Sequence, residues 1–240
     1  MSSITVNKFT GQKVLPVMTD TSTNIIQGIQ APSELGITEY SSINPKYSLS
    51  RKDYADAAAK IGCDIDSIKA IAKVETGGRS GWLDSKRCII LFEGHIFWQE
   101  LKAAGINPYR YSKQYPDVLY PYWTSKYYKG GSNEYVRLAK AERISKEAAL
   151  KSASYGMFQI LGKNYGECGI KDVISFVRLM NTSSHWQLQL FVNYIVKRNL
   201  AKYMKNHQWD NFAYYYNGPS YQKNNYAKRI SQEYIKLKKG

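Results

Sequence analysis

The chain has 240 residues, 43% of them hydrophobic, and lysine plus arginine exceed aspartate plus glutamate by 34 to 19, a net charge of +15. That length supports one sizeable core, or one domain with an extension. No window approaches the roughly 18 consecutive apolar residues of a membrane span, and the field of so basic a chain selects polyanionic partners without choosing among nucleic acid, anionic lipid and cell-wall polymers.

The opening stretch MSSITVNKFTGQKV has no apolar run behind its charges, so no secretory signal is expected and the protein is expected to be held in the cytoplasm. Residues 1–47 are close to neutral, with Lys8 and Lys13 against Asp20, Glu34 and Glu39, and lack sustained periodicity. They read as an N-terminal extension or small accessory segment, and 48–240 as the main domain. Cys63, Cys88 and Cys168 are odd in number and show no C-x-x-C spacing, which favours reduced, buried thiols. His95, His185 and His207 are scattered, and no H-E-x-x-H is present, so a catalytic zinc or other metal site is not expected.

From Ser50 the pattern turns helical. Ser50 and Asp53 have capping-box spacing, Tyr54, Ala57, Ala58 and Ile61 share a face, and Gly62 ends the helix. Asp64 or Asp66 caps the next helix, whose stripe Ile68, Ile71, Ala72 puts Glu75 where an apolar residue is due. Desolvation and the negative end of the helix dipole would both raise the pKa of Glu75. A carboxyl that keeps its proton near neutral pH can give it to a leaving oxygen. Periodicity alone also fits a helix end that frays into solvent.

Cys88 to Phe92 reads as a buried strand or extended segment, followed by Glu93 and a short helix with Phe97, Trp98 and Leu101 that ends before Gly105. The Tyr-, Pro- and Lys-rich span 106–131 reads as irregular, and Glu134 to Leu150 as helical. In SASYGMFQILGKNYGECG, spacing alone reads as an N-cap followed by an amphipathic helix with Gln159 on its surface. A helix is predicted from about Asp172, and Ser184 and Gln187 have capping-box spacing ahead of Leu188, Phe191, Val192 and Ile195. WDNFAYYYNGPSY then precedes a last, basic helix.

Four stretches now stand in order: a helix ending in Glu75, then ILFEGHIFW, SASYGMFQI and YYNGPSY. Together they resemble the phage-type N-acetylmuramidase family of endolysins, related in outline to goose-type lysozymes and lytic transglycosylases, over roughly 50–234. The resemblance implies a mainly α, lysozyme-like fold with a small β patch near the catalytic glutamate. It implies cleavage of the β-1,4 bond between N-acetylmuramic acid and N-acetylglucosamine in peptidoglycan, without a cofactor.

By position Glu75 would be the general acid. Glu93 would be either a second catalytic carboxylate or a structural one held by backbone amides at a helix start. Asp84 is a third candidate. Ser154, Gly156 and Gln159 match a Ser-x-Gly-x-x-Gln element: Gly156 would let backbone approach the sugar, Ser154 could bond Glu75 or an acetamido group, and Gln159 could reach from a first helical turn. Tyr155 stands in place of the family's common tryptophan as a flat surface for a sugar ring. Tyr216 and Asn217 match the Tyr-Asn element that lines the cleft, and Gly94 stands where many relatives carry arginine. Tyrosines between Tyr109 and Tyr128, and from Tyr214 to Tyr221, could stack on sugars, although most tyrosines edge a core.

The expected partners are peptidoglycan glycan strands, a separate pore-forming protein for release, and anionic outer-membrane lipid through the basic C-terminal helix, with no specific nucleic acid. The alternatives are a lytic transglycosylase giving 1,6-anhydro products and a virion-associated peptidoglycan-degrading protein.

Overall fold

Two capped helices set the frame. Helix α1 (Arg51–Ile61) starts at Ser50, whose hydroxyl accepts from Asp53 N–H while the Asp53 carboxylate accepts from Ser50 N–H, and it stops at Gly62 in the left-handed region at φ 77°. Helix α2 (Ile65–Thr76) starts at Asp64, which accepts from Ser67 N–H at 2.7 Å, and stops at Gly77 with φ 62°. A computed structural model of the protein describes these and the remaining elements over residues 48–219 and 221–239. The expected extension 1–47 therefore lies outside the described residues.

The next elements are β1 (Ile90–Phe92), α3 (Gly94–Ala103), α4 (Tyr109–Ser112), α5 (Ser132–Glu142) and α6 (Lys146–Lys151). The expected single helix across 134–150 is two, because Ser145 interrupts it and caps the second by accepting from Ala148 N–H. After them come β2 (Ala153–Tyr155), β3 (Ile160–Leu161), α7 (Val173–Met180), α8 (Ser184–Lys197), α9 (Ala201–Lys205), α10 (Trp209–Asn217) and α11 (Tyr226–Lys239). The fold is mainly α with one small antiparallel sheet, ordered β1-β2-β3. Among the described residues no helix is long and apolar enough to cross a membrane.

The sheet corrects the reading of SASYGMFQI. Ser154 lies mid-strand, opposite Leu91 of β1 and Leu161 of β3, and Gly156 to Gln159 form the turn of a β2–β3 hairpin. Gly156 (φ 71°) and Gln159 (φ 47°) both take left-handed backbone, which a helix start does not allow. The second capping box is also displaced. Ser183 caps α8 by accepting from Trp186 N–H. Ser184 instead accepts from Trp82 Nε1 at 2.8 Å. Gln187 is buried, its Oε1 accepting from Met157 N–H at 2.7 Å and its Nε2 donating to Met180 C=O. The start of α8 thus ties the loop after α2 to the hairpin turn.

The core runs between these helices: Ile68 and Ile71 of α2, Phe92 of β1, Phe97 and Leu101 of α3, Phe176 of α7 and Leu188, Phe191 and Ile195 of α8 are all fully buried. Burying one such side chain contributes about 1.5–3 kcal/mol relative to leaving it exposed. Cys88 and Cys168 are free and buried, and Cys63 is free and half-buried. The basic helix α11 does not float free. It docks on α2 through Tyr226, Ala227 and Ile230, with Lys73 paired to Glu233 at 2.7 Å and Lys238 to Asp66 at 3.1 Å.

Candidate active site

The stripe of α2 delivers Glu75 to the wall of a cleft of about 350 Å³, lined also by Val74, Gly77, Arg79, Asn217, Asn224, Tyr226 and Arg229. Glu75 is half-buried there and does not fray into solvent. Tyr226, at the start of α11 and only 3% exposed, donates its hydroxyl hydrogen to Glu75 Oε1. One turn on, Arg229 Nη2 donates to Val74 C=O at 3.0 Å and sets its positive charge beside the carboxyl. Desolvation dominates and pushes the Glu75 carboxyl up to about 7, against the pull of the Tyr226 hydrogen bond and the Arg229 charge. The group therefore holds its proton near neutrality while facing open space. Tyr226 and Arg229 were missed in the sequence: the helix that carries them shows its charge first, and nothing local signals a partner 151 residues upstream.

Asn217 lines the same cleft from the last position of α10. Its neighbour Tyr216 does not reach the cleft wall. Its hydroxyl donates to Phe158 C=O at 2.6 Å, and its ring stacks on Phe212 and meets Tyr194 and Phe191 edge-on. Tyr216 is close enough to Glu75 for the carboxylate to raise its own hydroxyl pKa. It positions the hairpin turn beside the cleft rather than presenting a surface to sugar.

Glu93 occupies a second polar pocket. It begins α3, but its side chain makes no capping bond with the backbone there, so the expected amide-held carboxylate is not found. Burial raises it to about 6, against the Lys163 charge, the Ser154 and Tyr128 hydroxyls and the Arg137 charge. His95 Nε2 lies 3.8 Å from Glu93 Oε2, and burial together with the Lys163 charge lowers the imidazole to about 4, which keeps it neutral at physiological pH. Glu93 is not among the residues lining the cleft around Glu75.

The hairpin touches both carboxyl groups' surroundings: Ser154 stands by Glu93, and Phe158 receives Tyr216 near Glu75. Ser154 therefore serves Glu93 and not Glu75. Tyr155, on the opposite strand face, is 0% exposed, donates to Leu150 C=O and packs edge-on against Phe176. It offers no face to a sugar, which corrects the reading of it as a stacking surface. Gly156 is needed for another close approach: a Cβ there would lie 2.8 Å from Gln187 Cδ. Gln159 donates to Gly156 C=O and closes the turn. Asp84 is exposed, and its carboxylate is taken by Arg87 at 2.6 Å and by the amides of Lys86 and Arg87. Those bonds hold it below the usual carboxylate range, which does not suit a proton donor. Gly94 fits under the Tyr120 ring, where a Cβ would approach Tyr120 Cε1 to 2.5 Å; an arginine would displace that ring.

The model of the N-acetylmuramidase family matches residues 64–238, a span that contains both glutamates and the hairpin. The chain is an N-acetylmuramidase family member. Among solved structures this muramidase is similar to the Burkholderia AP3 phage endolysin, at 31% identity over 82% of this chain and 74% of that chain, with a TM-score of 0.71. No curated protein matches it. Membership makes peptidoglycan the substrate class of the muramidase.

Proposed function

We propose that this muramidase is a phage-type endolysin that hydrolyses the β-1,4 bond between N-acetylmuramic acid and N-acetylglucosamine, and that Glu75 is its general acid. The single observation that carries the reading is a carboxyl pushed up to about 7 on the wall of an open cleft, with Tyr226, Arg229 and Asn217 around it. Glu75 gives its proton to the glycosidic oxygen as the bond breaks, which avoids expelling an unprotonated alkoxide. The resulting carboxylate is received by the Tyr226 hydroxyl and the Arg229 charge.

Glu93 is the second carboxylate. Four groups favour its ionised form, against two for Glu75, so it loses its proton first. The pair is then most active with Glu75 protonated and Glu93 charged, between about pH 6 and about pH 7. In this reading Glu93 activates water rather than attacking the sugar carbon, and the product is inverted at the anomeric centre. Ser154 orients Glu93, while Gly156, Gln159 and Tyr216 hold the hairpin that joins the two pockets. Asn217 contacts the glycan. Release through a separate pore-forming protein and lysis of the host from the wall side belong to the same reading, as does contact of the basic helix α11 with anionic outer-membrane lipid.

Purified protein is expected to clear a peptidoglycan suspension, and Glu75→Gln to lower the rate by at least about a thousandfold. Undiminished clearing by that variant removes Glu75 from the mechanism. Mass spectrometry of the released fragments is expected to show one added water per cleavage; its absence means the 1,6-anhydro product of a lytic transglycosylase. Retention at the anomeric carbon, read by NMR, would reassign Glu93.

A further inference from the structure

Helix α5 carries a buried charge pair that the chemistry above does not use. Glu134 is 0% exposed and Arg137 3% exposed, with Arg137 Nη1 2.7 Å from Glu134 Oε2. Removing two ions from water is costly, and apolar residues of similar volume often stabilise a core as well or better. The pair therefore needs another account, and its hydrogen bonds supply one.

Phe92, the residue before Glu93, is held on both sides: its N–H donates to Glu134 Oε2 at 3.0 Å, and its C=O accepts from Arg137 Nη1 at 2.8 Å. Gly94, the residue after Glu93, donates its N–H to the Tyr120 hydroxyl at 3.2 Å, and that hydroxyl accepts from Arg137 Nη2 at 3.1 Å. Glu134 Oε1 also accepts from the amides of Lys129 and Gly130, which fixes the loop carrying Tyr128 beside Glu93. Arg137 Nε donates to Asp117 C=O at 3.0 Å and ties down the segment that brings Tyr120. Two of these bonds end on Phe92, one reaches Gly94 through Tyr120, and the rest hold the segments that carry Tyr120 and Tyr128.

We propose that Glu134 and Arg137 are positioning residues that clamp the backbone on both sides of Glu93 and so aim its carboxylate. The inference rests on the reading of Glu93 as the second carboxylate. The guanidinium fork is what the arrangement requires: one nitrogen reaches a backbone carbonyl and the carboxylate, and the others reach a phenol and a second carbonyl, which no lysine can span. Around Glu93 the other polar groups are Lys163, His95, Ser154, Tyr128 and Tyr120; the paired variant keeps all five side chains but releases Tyr120 and the Tyr128 loop from the clamp and removes the Arg137 charge that favours ionised Glu93.

The test compares Glu134→Gln/Arg137→Met, Tyr120→Phe and Glu93→Gln with the parent on soluble glycan-strand fragments, with thermal unfolding measured on each. The paired variant leaves no unpaired charge, so it is expected to fold. Its kcat is expected to fall on the order of 10- to 100-fold, the effect of misplacing a reacting group by about an ångström, with KM within about threefold. Tyr120→Phe, which removes only the hydroxyl between Arg137 and Gly94, is expected to lower kcat by about three- to tenfold at unchanged KM. A parental kcat in the folded paired variant overturns the proposal. Where that variant does not fold, a parental kcat in Tyr120→Phe overturns it. A fall in kcat matched by a fall in folded fraction, with Tyr120→Phe at the parental rate, assigns the pair to stability alone. Full activity of folded Glu93→Gln instead sinks the reading of Glu93 on which the clamp depends.

Discussion

The proton on Glu75 has a cost that can be measured apart from activity. Its pKa is raised from 4.5 to about 7 in the folded chain. Below about 4.5 the carboxyl is neutral in both states, and nothing is lost on folding. As pH rises through about 7 the folded chain must carry a desolvated charge that the unfolded chain solvates freely, so stability falls. Glu75→Gln removes that penalty and keeps the acceptor for Tyr226. It is expected to be about 1–3 kcal/mol more stable than the parent at pH 8, roughly 3–10 °C in Tm, with the difference vanishing near pH 4.5. Scanning calorimetry at the two pH values checks this. Arg229→Gln acts on the same proton: losing the cation raises the Glu75 pKa further, so the basic limb of the pH–rate profile is expected to move to higher pH. A limb that moves down would contradict the assignment of Glu75 as the acid.

At the scale of elements, α2 carries the site at one end and an anchor at the other. Asp64 caps the helix and also meets Tyr234 at 2.8 Å, His207 at 3.1 Å and Lys238 at 3.6 Å. Burial raises this carboxyl, but the hydrogen bonds outweigh it and hold the group at about 2. Asp64→Ala removes the cap and a link to α11 together and is expected to destabilise by about 1–3 kcal/mol, the range for a cap with further partners, measured by urea unfolding at pH 7.

The sequence discloses most of this helix, a cap at Asp64 or Asp66 and the stripe that leads to Glu75, because these signals lie within a few turns of one another. The hairpin it does not disclose. Gln159 takes φ 47° only because neighbours fix the turn, and the burial of Gln187 that makes Gly156 necessary comes from a helix 30 residues on. Family resemblance singled out residues in that stretch, and the structure places several of them differently: Gly156 and Gln159 shape the hairpin turn, and Tyr155 is buried in the core. Ser154 was legible as a polar candidate; that it stands by Glu93 depends on strand pairing, which no local pattern states.

For the whole molecule, the excess positive charge resides partly in a helix that is structural as well as basic. The face of α11 that packs on α2 supplies Tyr226 and Arg229, so the basic helix and the cleft are not separable by cutting the chain. Truncation before Tyr226 is expected to abolish turnover on soluble glycan fragments, where binding to the wall plays no part; retained turnover would show that α11 is dispensable to the cleft. The N-acetylmuramidase match reaches residue 238 and so includes this helix.

The separation of Glu75 from Tyr226 by 151 positions also sets how late in chain synthesis the cleft can be completed. While the polypeptide is still being synthesised, the acid is already out but the tyrosine and arginine that tune it are not. The raised carboxyl of the cleft is therefore a property of the whole folded domain and not of α2 alone.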